Sequence, residues 1–245
     1  MRGYKNRNNG FTLAEVLITL GIIGVVVAMT IPTLISKYKH KEYETRFKKA
    51  YSMLAQATYD LPIEYGRCDA TNAQSINDYV FGKLKNINSG SFRSNGMSYK
   101  GNFKTYSLEN TTSVIHPNCF DGAAPGQGSH NYIVTPDGIT FSFCTNLTVG
   151  NSISVDINGV NKGPNAFGHD LFFFRILMDD CRLSYWQSQW RDCTDEEKCD
   201  EYFQWTDGVC SKSSKAGDNG FACTSYAVAN KCPDDSGKSY WDCLP

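Results

Sequence analysis

Polar and apolar positions divide the chain into a short leader, one long greasy run, an amphipathic stretch and a mixed remainder. Residues 1–10 are polar; from Phe11 an almost unbroken apolar run extends to Ile35, with a single acid, Glu15, inside it. That length suits a helix crossing a bilayer, which takes about 20 apolar residues. Beyond the run, Phe47, Tyr51, Leu54, Thr58, Leu61 and Tyr65 recur at alternating steps of four and three, the spacing of one helix face. The pattern predicts one continuous helix over Phe11–Leu61, ended or bent at Pro62, because proline gives up a backbone donor and clashes one turn back. The first half would lie in lipid, and the second would floor a folded domain.

After Tyr65 the period shortens from helix to strand. Asn131–Thr135 and Ile139–Cys144 flank a Pro-Asp-Gly turn and read as a hairpin. Ile153–Ile157 alternates apolar and polar residues and reads as a third strand; Asp170–Leu177, carrying three consecutive phenylalanines, reads as a buried fourth. Short turns between consecutive strands favour an antiparallel meander. The expected class is therefore α+β: a long N-terminal helix packed on a small antiparallel β-sheet, with a disulfide-rich C-terminal region. Two segments fall outside that core. Asn72–Glu109 is polar, with Gly and Ser clusters, and reads as a helix-and-loop insertion. Cys181–Pro245 holds seven of the ten cysteines together with Trp186, Trp190, Trp205 and Trp241, but few aliphatics. Such a segment needs disulfides to keep its shape.

Glu15 is the residue that packing does not explain. A carboxylate on a lipid-facing helix costs at least ~2.5 kcal/mol, which makes it a functional candidate by default. Before it stands the leader MRGYKNRNNG, with Arg2, Lys5 and Arg7 and no acid. This layout resembles the type IV prepilin-like proteins, the type IV pilins and the pseudopilins of type II secretion. The resemblance implies that a prepilin peptidase cleaves after Gly10 and that Phe11 becomes the N-methylated first residue. It also implies that Glu15, fifth in the mature chain, is the assembly acid, pairing with the Phe11 ammonium of a neighbouring subunit. Pro32 falls where many members carry a helix-bending proline. Gly21 and Gly24 are small enough to let helix backbones approach closely, and Gly24, Thr30 and Pro32 make a weak stretch of the kind that unwinds in related filaments. The likeness is specific over Gly10–Ile35, general through about Tyr65 and weak beyond. An ordinary signal peptide has a shorter apolar core, followed by a small-x-small cleavage site. A plain anchor gives no reason for Glu15.

The organisation that results is a leader at 1–10, a transmembrane and assembly helix at 11–35, and an amphipathic helix at 36–65. A pilin-like β head follows at 66–180 and a cysteine-rich region at 181–245. The 245 residues leave ample chain for a core once leader and anchor are set aside. Net charge is −1, and loss of the three leader cations takes it to −4. No long basic block marks a nucleic-acid partner.

All ten cysteines, Cys68, Cys119, Cys144, Cys181, Cys193, Cys199, Cys210, Cys223, Cys232 and Cys243, lie beyond the anchor. None form a C-x-x-C pair, which argues against a zinc ribbon or a thioredoxin-like site. Disulfides persist in oxidising compartments. Cysteine usage and the prepilin-like pattern thus put the leader on the cytoplasmic side of the inner membrane and the head in the periplasm or outside. Cation counting alone does not, since Lys37, Lys39 and Lys41 flank the other end of the span. Up to five bridges are expected; Cys193/Cys199 and Cys223/Cys232 are the local candidates, and connectivity stays open.

Other chemistry is thin. The stretch Asp156–Asn165, followed by Asp170, offers hard oxygen ligands that would suit calcium. Its glycine lies at the wrong offset for an EF-hand loop, and Asn-Gly and Gly-Pro are ordinary turn formers, so neither a metal nor a cofactor is expected. His40, His116, His130 and His169 show no ligand spacing, and no nucleophile elbow, phosphate loop or dinucleotide fingerprint is present. The function expected is a non-enzymatic, structural subunit of a type IV pilus or type II secretion pseudopilus, with the peptidase, other subunits and the membrane as partners. The alternative is a membrane-tethered binding module or adhesin using the cysteine-rich C-terminal region.

Overall fold

The computed structural model describes residues 12–69, 71–91, 130–146, 150–159, 161–185, 210–215 and 219–244. It divides into a unit ending at His40 and a unit beginning at Lys41. The first unit is the start of α1 (Leu13–Thr58). Its apolar window is long enough to cross a membrane and none of it is buried. Leu17, Ile18, Leu20, Ile22 and Ile23 are each more than half exposed. The helix stays continuous through Gly21, Gly24 and Pro32. Thr30 and Thr33 turn their hydroxyls back onto Val26 O (2.9 Å) and Thr30 O (2.8 Å), which satisfies polar groups within an apolar stretch. A Cβ at Gly21 or Gly24 would meet nothing within 4 Å, so both glycines present bare backbone to their surroundings.

In the second unit the helical stripe meets a core. Phe47, Leu54, Thr58 and Leu61 are buried, and Ala50 and Ala57, which the four-three pattern passes over, join them. Tyr51 and Tyr65 pack at the margin. The helix does not run to Leu61. It stops at Thr58, and a new short helix, α2 (Leu61–Tyr65), begins with Pro62 in its first turn. Proline is suited to that place, where the missing N–H would have no partner within the helix. Pro62 thus both closes and opens an element: α1 ends one turn before it, at Thr58, and α2 opens with it. The next helix, α3 (Ala73–Lys83), buries Ile76 and Val80, and Lys83 reaches back to Asp60 at 2.6 Å.

Among the described residues the sheet has six strands: β1 (Asn88–Ser91), β2 (His130–Val134), β3 (Thr140–Asn146), β4 (Gly150–Asp156), β5 (Leu171–Ile176) and β6 (Leu183–Tyr185). Their spatial order is their chain order, and every neighbouring pair is antiparallel. This is the α+β meander expected. Register aligns Phe143 with Ile153 and Ile153 with Phe174, and beside them Phe141 with Val155 and Val155 with Phe172. Those residues make one apolar face, and the α1 stripe covers it: the Phe47 ring sits 4.4 Å from Phe172 and 5.4 Å from Trp241, centroid to centroid. Such ring pairs add ~0.5–1.5 kcal/mol each beyond the area they bury.

β5 is buried along its whole length, so its second face needs a cover as well. The C-terminal segment supplies it. Phe221 meets Phe173 edge-on at 6.0 Å and Phe167 at 4.3 Å. Thr224, in the last helix, α4 (Cys223–Ala229), accepts the Phe173 N–H at 3.0 Å, just past the final β5–β6 pair. The approach is close enough to require glycine at 220. A Cβ there would lie 2.4 Å from Phe167 O, and the residue sits at φ +112°, where a side chain is strained.

Three disulfides hold the described parts. Cys68–Cys181 joins the segment after α2 to the β5–β6 connection, across a separation of 113 residues. Cys210–Cys223 and Cys232–Cys243 close loops of 13 and 11 residues in the C-terminal segment. The local pair Cys223/Cys232 expected from spacing is thus wrong. Each of the two is bonded elsewhere, because α4 carries Cys223 against the sheet where Cys210 is the thiol within reach. Cys119, Cys193 and Cys199 lie outside the described residues, as does the Cys144 side chain, and the Cys193/Cys199 pairing with them.

Candidate assembly site and a buried acid pair

At the start of α1, Thr12 and Glu15 close on each other. The Thr12 N–H and hydroxyl both donate to Glu15 Oε2 at 2.8 Å, and the Glu15 N–H donates to Thr12 Oγ1 at 3.3 Å. Thr12 O accepts the first helical bond, from Val16 N, at 3.2 Å. This reciprocal arrangement is a capping box: it satisfies backbone donors at the helix start that have no partner within the helix. The Thr-x-x-Glu spacing that signals it, Thr12 to Glu15, is present in the sequence. Gly10 and Phe11, one residue before the box, lie outside the described residues.

A family model for the prokaryotic N-terminal methylation motif matches residues 5–31. The N-terminal segment carries a type IV prepilin-like motif. The match covers Gly10, Phe11, Thr12 and Glu15 together with Gly21 and Gly24, and stops one residue short of Pro32. No curated protein and no solved structure matches the chain. The motif is that of a structural protein anchored by its N-terminal helix, and the unburied apolar helix agrees with such an anchor.

A second cluster of polar groups lies where α1 meets two loops of the sheet. Arg46 donates to Asp137 O (3.2 Å) in the β2–β3 turn and to Ile157 O (3.3 Å) at the end of β4. Gly159 follows, and its φ of +94° lets the chain pass so near Gly138 O that a Cβ would come within 2.8 Å. Below this crossing, Asp156 and Asp170 are fully buried. Asp156 Oδ1 accepts the N–H groups of Asn158 (3.0 Å) and Gly159 (2.7 Å). Asp170 accepts those of Asn165 (2.8 Å) and Ala166 (2.7 Å) and the Asn158 amide (3.1 Å), which also reaches Tyr43 OH at 3.4 Å. The turn chemistry read from Asn-Gly and Gly-Pro is the work of these two carboxylates.

Burial, together with the neighbouring Asp170 charge, pushes the Asp156 carboxyl well above the ordinary carboxylate range; burial pushes Asp170 up to about 6. Arg46 pulls Asp156 the other way without offsetting this. Both folded-state values exceed the unfolded one, so the folded chain holds more protons than the unfolded chain between about pH 4 and pH 6. Stability from this pair is fully present below pH ~4 and is lost as pH rises through Asp170's value near 6. Urea unfolding of the Lys41–Pro245 unit is expected to show a decline on the order of 3 kcal/mol from pH 4.5 to pH 7.5. Asp156→Asn should flatten that decline and raise stability at pH 7.5. Its new amide N–H₂ would occupy the Oδ2 position, which has no hydrogen-bond partner among the described residues.

Proposed function

We propose that this chain is a filament subunit of the type IV pilus or type II secretion pseudopilus kind. It enters the inner membrane through the 11–35 helix, leader inside and head outside, and prepilin peptidase cuts it between Gly10 and Phe11. The observation that carries the reading is the methylation motif at residues 5–31 lying on a helix whose apolar surface is wholly uncovered. The capping box gives Glu15 a use within its own helix; a formal negative charge at the edge of an apolar span gains a further one if a cation of another subunit docks there. Removal of the leader frees the Phe11 amine, and Glu15 of a neighbouring subunit is the carboxylate that receives it. Taking both charges out of water cancels much of the attraction between them, so the pair sets axial register more than it adds stability.

Helix-to-helix contact then supplies what the pair does not. Bare backbone at Gly21 and Gly24 admits close approach of a second helix. Pro32, which cannot bond one turn back, marks where α1 would yield if the assembled filament unwinds it. The experiment is an intact-mass and N-terminal measurement on protein extracted from membranes of a cell that has the peptidase. The expected species begins at Phe11 and carries one added methyl group. Recovery of a chain that keeps residues 1–10 would overturn the proposal.

A further inference from the structure

We infer that Lys37 and Lys39 form a collar that binds the phosphate groups of anionic lipids in the leaflet on the head side of the membrane, a step that rests on the membrane placement proposed for the 11–35 helix. The cations of α1 fall into two groups. Lys41, Arg46, Lys48 and Lys49 each hold a carboxylate at 2.9 Å or closer. Lys37 and Lys39, the two nearest the apolar run, are exposed and hold none among the described residues. No acid stands between Glu15 and Glu42, so their own stretch of helix offers nothing to neutralise them.

Depth along the helix agrees. Side chains two positions apart leave a helix on nearly opposite sides, while their Cα atoms differ by only about 3 Å along its axis. Lys37 and Lys39 therefore reach out to two sides at one level, and Tyr38, 73% exposed, takes a third direction between them. Glu15 stands twenty-two positions before Lys37, about 33 Å of helix at 1.5 Å per residue. The hydrocarbon layer is about 30 Å thick. With Glu15 at one edge of that layer, the two lysines emerge at the other, among the phosphates. Lysine stems can lie along apolar surface while their ammonium groups stay in the polar layer, and tyrosine rings settle at the same level. Charge gives the selectivity. A zwitterionic headgroup carries its own cation beside the phosphate, whereas an anionic headgroup leaves the phosphate for the lysines. Cations that flank a span are ordinarily in excess on the cytoplasmic side. This pair stands on the other side and is not used by the protein's own carboxylates, which leaves it for lipid.

The test uses the full chain in vesicles of mixed phosphatidylcholine and phosphatidylglycerol. Three forms are compared: wild type, the collar variant Lys37→Gln/Lys39→Gln, and Lys48→Gln/Lys49→Gln, which removes the same charge further along the chain. Flotation first reports membrane insertion. Spin-labelled phosphatidylglycerol and spin-labelled phosphatidylcholine then report, by electron paramagnetic resonance, how often each lipid touches the protein. Arg2, Lys5 and Arg7 are common to all three forms, so the comparison holds whether or not the leader has been cut. A lysine held near an anionic surface is worth about fivefold in occupancy. Spread over every lipid that touches the helix, the preference for the phosphatidylglycerol label is expected to fall roughly twofold in the collar variant and to stay at the wild-type value in the other. At about 1 M salt, where screening reaches ~3 Å, wild type and collar variant should converge. Equal preference in wild type and collar variant at low salt overturns the inference, as does an equal fall in both variants. Should filament yield drop in the collar variant while its lipid preference stays, the lysines serve a carboxylate of another subunit and the inference fails. A chain that does not float with the vesicles overturns the membrane reading as well; one that floats without preference overturns the inference alone.

Discussion

Glu15→Val is expected to yield a subunit that is cut after Gly10 and methylated at Phe11, yet is recovered from sheared filaments at roughly one hundredth of the wild-type level or less. Stranding one member of a desolvated ion pair costs about 3–5 kcal/mol, and each 1.4 kcal/mol is tenfold. The same substitution makes the helix more comfortable in lipid, because a carboxylate is replaced by an apolar group. Accumulation of mature subunit in the membrane fraction should therefore accompany the loss of filament. Quantitative blotting of sheared and membrane fractions, with N-terminal mass on the latter, checks both halves. Wild-type filament yield from Glu15→Val would remove the assembly role from this residue. Val is also unable to close the capping box with Thr12, so the loss of the pair and the loss of the cap coincide in this variant.

The second large effect concerns the head. Replacing Cys68 and Cys181 together by alanine should lower the stability of the Lys41–Pro245 unit by ~5 kcal/mol, because the bridge closes a loop across 113 residues. The same chain-entropy argument gives only ~3 kcal/mol for Cys210–Cys223, whose separation is 13. Both Cys68 and Cys181 are also fully buried in the core, so their loss is not relieved by solvent. A domain of this size is stable by about 5–15 kcal/mol, which makes the first change a large part of the whole. Urea denaturation followed through the buried Trp241 should show the midpoint falling by on the order of 2 M, and reductant, which also opens Cys210–Cys223 and Cys232–Cys243, should bring the wild-type chain lower still. A fall no larger than that of the Cys210/Cys223 variant would show that the denatured chain is already compact around the long loop.

The central hairpin and the two strands after it were legible because β2 to β5 alternate or run apolar between turn residues. The same signal could not find β1, whose sequence Asn-Ser-Gly-Ser has no apolar position, or β6, which is only three residues long. Both are edge strands that owe their existence to a partner already in place. α4 is seven residues long, short for helical periodicity to show, and its place is set by Cys223 and Thr224. The break at Pro62 was legible, since proline clashes one turn back, at Thr58, where α1 ends; the short α2 beyond it was not. At the start of α1 the Thr-x-x-Glu spacing carries the capping box beside the more conspicuous charge of Glu15. In the head, Asp156 and Asp170, fourteen positions apart, are legible as one group of oxygen ligands, but not as a dry pair, because only the return of β5 alongside β4 buries them together.

Since every described strand lies beside its predecessor in chain order, a polypeptide that emerges N-terminal end first can complete the sheet strand by strand. Only one thiol in the described core must wait. Cys68 leaves the membrane early, and its partner follows 113 residues later. In the interval Cys119 and Cys144 are the thiols delivered ahead of Cys181. The timing of oxidation relative to translocation, and not the affinity of any strand for its neighbour, is then what guards this head against a crossed bridge.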